Sequence, residues 1–235
     1  MALSILAVGA HPDDLEILCA GTLARCAKRG DRVVMAHLCA GDMGHFRIPP
    51  KKLAGLRRKE AQAAGRLIGA EVLTTGIPDA TLVNDDATRR KVMDLVRAAK
   101  PDLVITHHPD DYMGDHVACS KLVTDASFHA SLPHFRTRRP PHKKIPPVYF
   151  MDTIAGLQCQ PSVYVDITET FATKRRMLAR HRTQMDWLSH HDAVNMLEAI
   201  EVAARFRGLQ CGKRYAEGFV PYQVWGRTMT ERLLP

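Results

Sequence analysis

Short apolar runs alternate along the chain with longer segments whose apolar residues recur at helical spacing. Residues 3–9 are almost wholly apolar and end in a turn, which is typical of a strand buried on both faces. From Leu15 to Arg29 the leucines and alanines follow a helical period, and Gly30 supplies a helix stop. Residues 32–39 return to strand character. This order predicts a βαβ unit, and therefore a parallel sheet with a right-handed crossover.

The alternation continues to the end of the chain. Helices are predicted over residues 51–68, 86–99, 117–129 and 168–207, the last broken near His190 and His191, and strands over residues 71–74, 102–107, 148–153, 163–167 and 215–226. This pattern predicts a doubly wound α/β fold: a Rossmann-like, mostly parallel sheet flanked by helices, with an elaborated C-terminal part. No internal repeat or low-complexity linker interrupts it, so we expect residues 1–235 to form one domain.

Length and composition place the chain in the globular class. Its 235 residues are 46% hydrophobic and 25% charged, which argues against disorder and fibrous structure. The longest apolar stretch, Leu3 to Ala10, is too short to span a bilayer and has neither the basic segment nor the cleavage site of a signal peptide. Six cysteines form no C-x-x-C pair and are expected to be buried thiols. We therefore expect a cytoplasmic protein with no membrane partner, and the oligomeric state, including a homo-oligomer, stays open.

The net charge of +8 is concentrated in part in one segment. Residues 134–144 contain five Lys or Arg side chains, no acidic residue and two prolines, which indicates a solvated flexible loop. An anionic substrate or a nucleic acid is the alternative partner for such a loop. Nucleic-acid binding is disfavoured because Phe135 is the one aromatic residue between the basic ones.

Two polar clusters directly follow predicted strands. Residues 10–16 read Ala-His-Pro-Asp-Asp-Leu-Glu, and residues 107–116 read His-His-Pro-Asp-Asp-Tyr-Met-Gly-Asp-His. Ligands of open α/β sheets bind beyond the carboxyl ends of the strands. If the two strands are neighbours, both clusters lie at the same sheet edge.

These clusters offer imidazole and carboxylate groups in the number that a catalytic zinc requires, which is about three protein ligands and one open position. Two consecutive carboxylates do not readily serve one ion, so we expect Asp14 to face the metal and Asp13 the substrate. For either cluster alone, a turn whose Asp caps the next helix is an equal alternative. A dinucleotide site is disfavoured because the first turn lacks G-x-G-x-x-G.

The motif at residues 10–16 resembles the signature of the zinc-dependent LmbE-like, or PIG-L, N-deacetylases. Weaker matches to that family run through nearly the whole chain: Arg57 with Glu60, Pro78-Asp79, Asp115-His116, a helix carrying Lys174, His181 and Gln184, and Glu217-Gly218-Phe219. The resemblance implies hydrolysis of an N-acetyl group on an amino sugar or its conjugate, with one zinc or another divalent metal per chain. The site residues it implies are the metal ligands His11, Asp14 and His116, the general base Asp13, and the substrate contacts Arg57 and Asp79.

The sequence departs from the family pattern at Met113. Many members read His-Pro-Asp-His where this chain reads Met113-Gly114-Asp115-His116, and a thioether cannot donate a hydrogen bond to an oxyanion. Candidates for that donor, or for support of the metal ligands, are Asp115, His45, His107, His108 and Tyr112. A non-catalytic metal- and sugar-binding protein and the deacetylation of a non-sugar amide stay open as alternatives, although Asp13 beside Asp14 favours an enzyme.

Overall fold

A twisted sheet forms the centre of the computed structural model, which describes residues 2–235. Within these residues the strands β1 to β7 are Ser4–Gly9, Arg32–Cys39, Glu71–Ile77, Leu103–Thr106, Val148–Met151, Val163–Asp166 and Ala216–Pro221. Their order in the sheet is β3-β2-β1-β4-β5-β7-β6. Strands β1 to β5 pair in parallel, whereas β7 is antiparallel to both β5 and β6. The mostly parallel α/β fold predicted from the sequence is confirmed.

Helices cover both faces of this sheet. In chain order the helices α1 to α8 are Asp14–Leu18, Ala20–Lys28, Pro50–Gly65, Asp86–Ala99, Gly114–His129, Phe171–Leu178, Arg182–His191 and Met196–Cys211. Successive side chains of β1 point to opposite faces of the sheet, as in any β-strand. Ile5 packs with α1, α2 and α6 on one face, and Leu6 packs with α4 and α5 on the other. Both cores are therefore built on the same central strands.

Several predicted boundaries differ from the structure, and three of the differences bear on the site or on its support. The helix expected over residues 15–29 is divided at Cys19, and the one expected over 168–207 is three helices, with an additional break at residues 179–181. Helix α5 begins at Gly114 instead of residue 117, because Met113 adopts an extended conformation just before it. His116 thus lies in the first turn of a helix, which fixes the direction of its side chain.

The break at Cys19 has a cause far away in the chain. The carboxylate of Glu217 accepts the backbone N–H groups of Gly21 (3.0 Å) and Thr22 (2.7 Å), which are free donors in the first turn of α2. Lys174 Nζ lies 2.5 Å from Glu217 Oε1 and donates to the carbonyl of Ile17 at 2.7 Å. This buried ion pair connects α1, α2, α6 and β7.

The basic loop is mostly exposed, as expected, and one buried arginine binds its backbone. Arg97 donates to the carbonyls of Ala130, Leu132, Phe135 and Arg139. The loop joins α5 to β5 and contacts residues 101 and 102 ahead of β4, so it lies at the amino ends of the strands. It is on the opposite edge of the sheet from the two polar clusters.

Two further expectations concern the chain's environment. Among residues 2–235, none of the helices combines the length and apolar character that a membrane crossing requires. All six cysteines are free thiols, five of them buried and Cys211 half-buried.

Breaking the buried pair should destabilise the fold. Glu217→Gln leaves Lys174 buried without a counter-charge, so we expect the free energy of unfolding to fall by about 3–5 kcal/mol, measured by urea denaturation. Glu71→Gln is the matched control, because the Arg32–Glu71 pair is half exposed and should change stability by about 1 kcal/mol or less. Equal effects of the two variants would contradict this account of the break at Cys19.

Candidate active site

The first and fourth strands are neighbours, and the two polar clusters lie at their carboxyl ends. Strand β1 leads to β2 and β3 on one side, and β4 leads to β5 on the other, so the chain reverses direction across the sheet between β1 and β4. This switch point is where open α/β sheets form their ligand crevices. The adjacency expected from the sequence is therefore present.

The carboxylate of Asp14 lies at the centre of the site and is almost fully buried. The backbone N–H of His11 donates to its Oδ2 at 2.6 Å, and His107 Nε2 lies 3.0 Å from the same oxygen. His116 Nε2 lies 3.3 Å from Oδ1. The side chains of His11, Asp14 and His116 each offer one ligand atom, and these atoms lie within 4.8 Å of one another. The structure thus brings together the three ligands that the resemblance implied.

A second carboxylate lies behind each of the two histidines. Asp115 Oδ2 is 3.0 Å from His11 Nε2, which leaves His11 Nδ1 toward Asp14. Asp111 Oδ2 is 3.1 Å from His116 Nδ1, which leaves His116 Nε2 toward Asp14. Carboxylates in this position fix the ring and tautomer of a metal-binding histidine. The sequence analysis named Asp115 as a residue that supports a metal ligand. It did not name Asp111, although Asp111 belongs to the same polar cluster and lies five residues before His116.

The charges around this group favour a cation. Burial lowers the pKa of His11, but hydrogen bonds to Asp115 and Asp14 outweigh it and raise that pKa to about 11. For His116, the charge of Asp14 and the contact with Asp111 outweigh burial and raise the pKa to about 9. Neither ring nitrogen of the buried His116 makes an aligned hydrogen bond. Two imidazoles and a carboxylate, with unused ligand atoms facing inward, fit a zinc-class ion.

Asp13 has a different environment from its neighbour. Its side chain is buried, and burial together with the charge of Asp14 raises its pKa to about 7. Its backbone has φ 132°, a region that residues other than glycine rarely adopt and that costs about 1–3 kcal/mol. This strained residue immediately precedes Asp14, the first residue of α1.

A fully buried acid–imidazole pair lies next to Asp13. His181 Nε2 is 3.2 Å from Glu16 Oε1, and the charge of His181 acts on Asp13. Glu16 is one turn after Asp13 on α1, and His181 lies just before α7. His181 was part of a weak match to the family pattern, but its partner Glu16 could not be inferred from spacing, since the two residues are far apart in the chain.

The two residues expected to contact substrate lie at the same edge. Arg57 is buried and donates to the carbonyl of Gly44 at 2.8 Å, while its Nε has no partner. Asp79 accepts the backbone N–H groups of Gly41 (2.7 Å) and Met43 (3.2 Å) with its two oxygens. Asp79 therefore shapes the loop after β2, and Arg57 keeps a free donor.

The oxyanion candidates occupy unequal positions. His107 is fully buried behind Asp14, and the Nδ1 atoms of His45 and His108 accept backbone N–H groups. Tyr112 is 72% exposed and precedes Met113, whose backbone N–H donates to Asp111. Of the four candidates, Tyr112 has the side chain that is most accessible to a ligand.

Comparison with known proteins adds a family and several relatives. The model of the family described as "PIG-L: GlcNAc-PI de-N-acetylase" matches residues 6–127, which is more than half of the chain. A solved structure, the N,N'-diacetylchitobiose deacetylase from Pyrococcus horikoshii, is 25% identical, has a TM-score of 0.82, and the match covers 93% of this chain and 83% of that one.

Two curated relatives carry different activities in their names. A 4-oxalmesaconate hydratase from Pseudomonas putida is 27% identical over 230 residues, covering 92% of this chain and 87% of the relative. A 1D-myo-inositol 2-acetamido-2-deoxy-alpha-D-glucopyranoside deacetylase from Catenulispora acidiphila is 23% identical over 243 residues, covering 77% and 80%. Similarity alone thus leaves two reaction types to be weighed.

Removal of a ligand should release a bound metal, and removal of its support should weaken binding. We expect His116→Ala to lose zinc on dialysis, and Asp111→Asn to lower zinc affinity about 10- to 100-fold, as loss of a carboxylate behind a histidine ligand does. Metal content by mass spectrometry and a competition titration with a chelating dye measure the two effects. His134→Ala, an exposed histidine on the basic loop, is the control. One equivalent of zinc retained by His116→Ala would contradict the assignment.

Proposed function

We propose that this chain, which belongs to the PIG-L family of de-N-acetylases, hydrolyses the N-acetyl group of an amino sugar or of its conjugate with the help of a zinc-class metal. The family's reaction is the hydrolysis of an amide. The observation that carries the proposal is the grouping of His11, Asp14 and His116 at the edge between β1 and β4, with the buried Asp13 preceding Asp14 in the chain.

The metal is proposed from the donor set. His11 and His116 would bind it through the nitrogens that face Asp14, with Asp115 and Asp111 holding the opposite nitrogens. When bound, such an ion lowers the pKa of water and polarises a carbonyl oxygen. The chain's contribution is a pocket whose charge favours a cation and whose ligands are held in place before it binds.

Asp13 is the proposed general base and acid. A group that takes a proton from water and later gives it to the leaving amine works best with a pKa near the working pH. Burial and the charge of Asp14 raise the pKa of Asp13 to about 7, which suits both steps. His181, which is paired with Glu16, is proposed to stabilise the ionised form of Asp13, because its charge lowers the pKa of Asp13 against the effect of burial.

Contacts with the sugar are proposed for the residues at the rim of the site. The Nε of Arg57 is buried without a partner, and this unsatisfied donor is the group that we propose for a hydroxyl or an anionic group of the substrate. Asp79, whose oxygens hold the loop after β2, would shape the wall against which the sugar lies. For the oxyanion we propose the phenol of Tyr112, which is accessible and stays protonated near neutral pH.

Addition of water to an unsaturated acid is the second candidate. It is favoured by the hydratase relative, which aligns over 92% of this chain. A site that activates water serves either reaction, so the substrate must decide between them. Deacetylation is preferred because the matched family model describes a de-N-acetylase.

Amine release tests the proposed function. Zinc-loaded protein should release a primary amine, detected with fluorescamine, and acetate from at least one N-acetylated amino sugar. Asp13→Asn should retain zinc and lose at least about a hundredfold in kcat, the usual contribution of a general base. Asp110→Asn, an exposed carboxylate of the neighbouring loop, is the control. If no sugar amide is cleaved while an unsaturated dicarboxylic acid loses its ultraviolet absorbance, the hydratase alternative is correct.

Adjacent substitutions test the oxyanion donor. Tyr112→Phe should lower kcat about 10²- to 10³-fold, because removal of an oxyanion donor has that effect, whereas Met113→Ala should stay within about tenfold of the wild type. Single-turnover deacetylation with verified zinc content is the measurement. Two outcomes would contradict a side-chain donor and leave the metal as the stabiliser of the oxyanion. One is a loss of kcat of about a hundredfold or more in Met113→Ala. The other is an unchanged kcat in Tyr112→Phe and in the alanine variants of His45, His107 and His108.

A further inference from the structure

A cavity of about 710 Å³ adjoins the proposed active site, and of its residues only Tyr112 has a part in the proposed mechanism. Two of its walls come from the elements that carry the site: Ile17 and Leu18 belong to α1, which begins at Asp14, and Tyr112 belongs to the loop before α5. Its volume is typical of pockets that hold small molecules. We call this space the side cavity.

The rest of the side cavity is mostly apolar. Its other walls are formed by α7, α8, their connection, and the turn that follows β5. The apolar residues among them include Ile154, Leu188, Val194, Met196, Ile200 and Phe206. Such walls favour an apolar ligand, because each buried methylene group contributes favourably when it leaves water.

The buried charged side chains of these walls already have partners, whereas Asp192 and Glu198 lie on the exposed part of the wall. Asp152 accepts two hydrogen bonds from Arg207, at 2.6 and 2.9 Å. Lys174 and Glu217 form the buried pair described above. A sugar ring placed among them would find few free groups to replace its hydrogen bonds with water, which is costly. The side cavity is therefore poorly suited to the sugar itself.

Apolar side chains at the rim are exposed to water. Val202 is 62% and Phe206 50% exposed, and both line the side cavity from α8. Their exposed surface is contiguous with the apolar walls, which is the arrangement expected where a ligand covers the opening.

We propose that the side cavity binds an apolar tail of the substrate, an alkyl or aryl group attached to the N-acylated amino sugar. This inference rests on the proposed function and adds the substrate class to it. The tail is either the aglycone or an N-acyl group longer than acetyl, since both would extend from a sugar placed at the metal group. The same walls disfavour a compact polycarboxylic acid.

Two series of substrates separate the two attachments. Methyl and octyl N-acetylglucosaminides vary the aglycone, while N-acetyl- and N-octanoylglucosamine vary the acyl group. In one of the two series, we expect the long-chain compound to have at least about tenfold higher kcat/KM than its short partner. The reason is that each further methylene group buried in an apolar pocket contributes favourably to binding. The series that shows the gain identifies the attachment.

Three variants of α8 test whether the side cavity causes that gain. Ala203→Leu should obstruct it and Phe206→Ala should remove a wall, so each should lower the long-to-short ratio at least about threefold without changing turnover of the short substrate. Leu209→Ala is the matched control: Leu209 is a 79% exposed apolar residue of the same helix that does not line the cavity. A loss of stability alone would not change the ratio.

Binding of octyl N-acetylglucosaminide, measured by calorimetry, distinguishes the two possible failures. Cleavage of the short substrates with no gain in either series, or a gain that Ala203→Leu leaves intact, overturns the inference and leaves the proposed function standing. No cleavage of any compound overturns the proposed function. In that case, binding that Ala203→Leu abolishes still supports the apolar subsite, and absence of binding overturns both.

Discussion

The buried carboxylate of Asp14 is the group around which the active-site edge is organised. A buried charge is costly unless hydrogen bonds and opposite charges surround it. Here the backbone N–H of His11 and the rings of His107 and His116 approach it, and the charges of the two rings outweigh burial and hold the pKa of Asp14 well below its usual range. Burial and the same charge raise the pKa of Asp13, so the arrangement that favours a cation also favours a neighbouring carboxyl that can hold a proton.

Other buried charged side chains determine how distant segments of the chain pack together. Glu217 accepts backbone N–H groups at the start of α2, just after the break at Cys19. Arg97 donates to backbone carbonyls between α5 and β5. Arg207 joins Asp152 to the carbonyls of residues 156 and 159. Each of these side chains bonds residues at least 30 positions away, so none of the resulting bends is encoded in the local sequence.

This explains which features could be predicted from the sequence. Apolar periodicity was sufficient for the central strands and for α4, whose predicted bounds of residues 86–99 are those observed. Apolar periodicity was insufficient at Cys19, because the helical spacing of apolar residues continues through the break. The break coincides instead with the contacts that Glu217 makes with Gly21 and Thr22. The expected ligands His11, Asp14 and His116 came from the family resemblance. The places of Asp111 and of the Glu16–His181 pair are defined by distances that appear only in the folded chain.

The proposed catalytic residues and the walls of the side cavity come from different parts of the chain, which the sheet topology brings to one edge. His11, Asp13, Asp14 and His116 lie within residues 6–127, the part that the family model matches. Most of the side cavity is formed instead by residues 152–156 and 188–206, which reach the same edge because β7 runs antiparallel and returns the chain beside β5. A water-activating edge can then stay unchanged while its neighbouring walls vary. This separation accounts for a family described by one reaction having a relative named for another, and under the proposed function the apolar walls select which substrate reaches the edge.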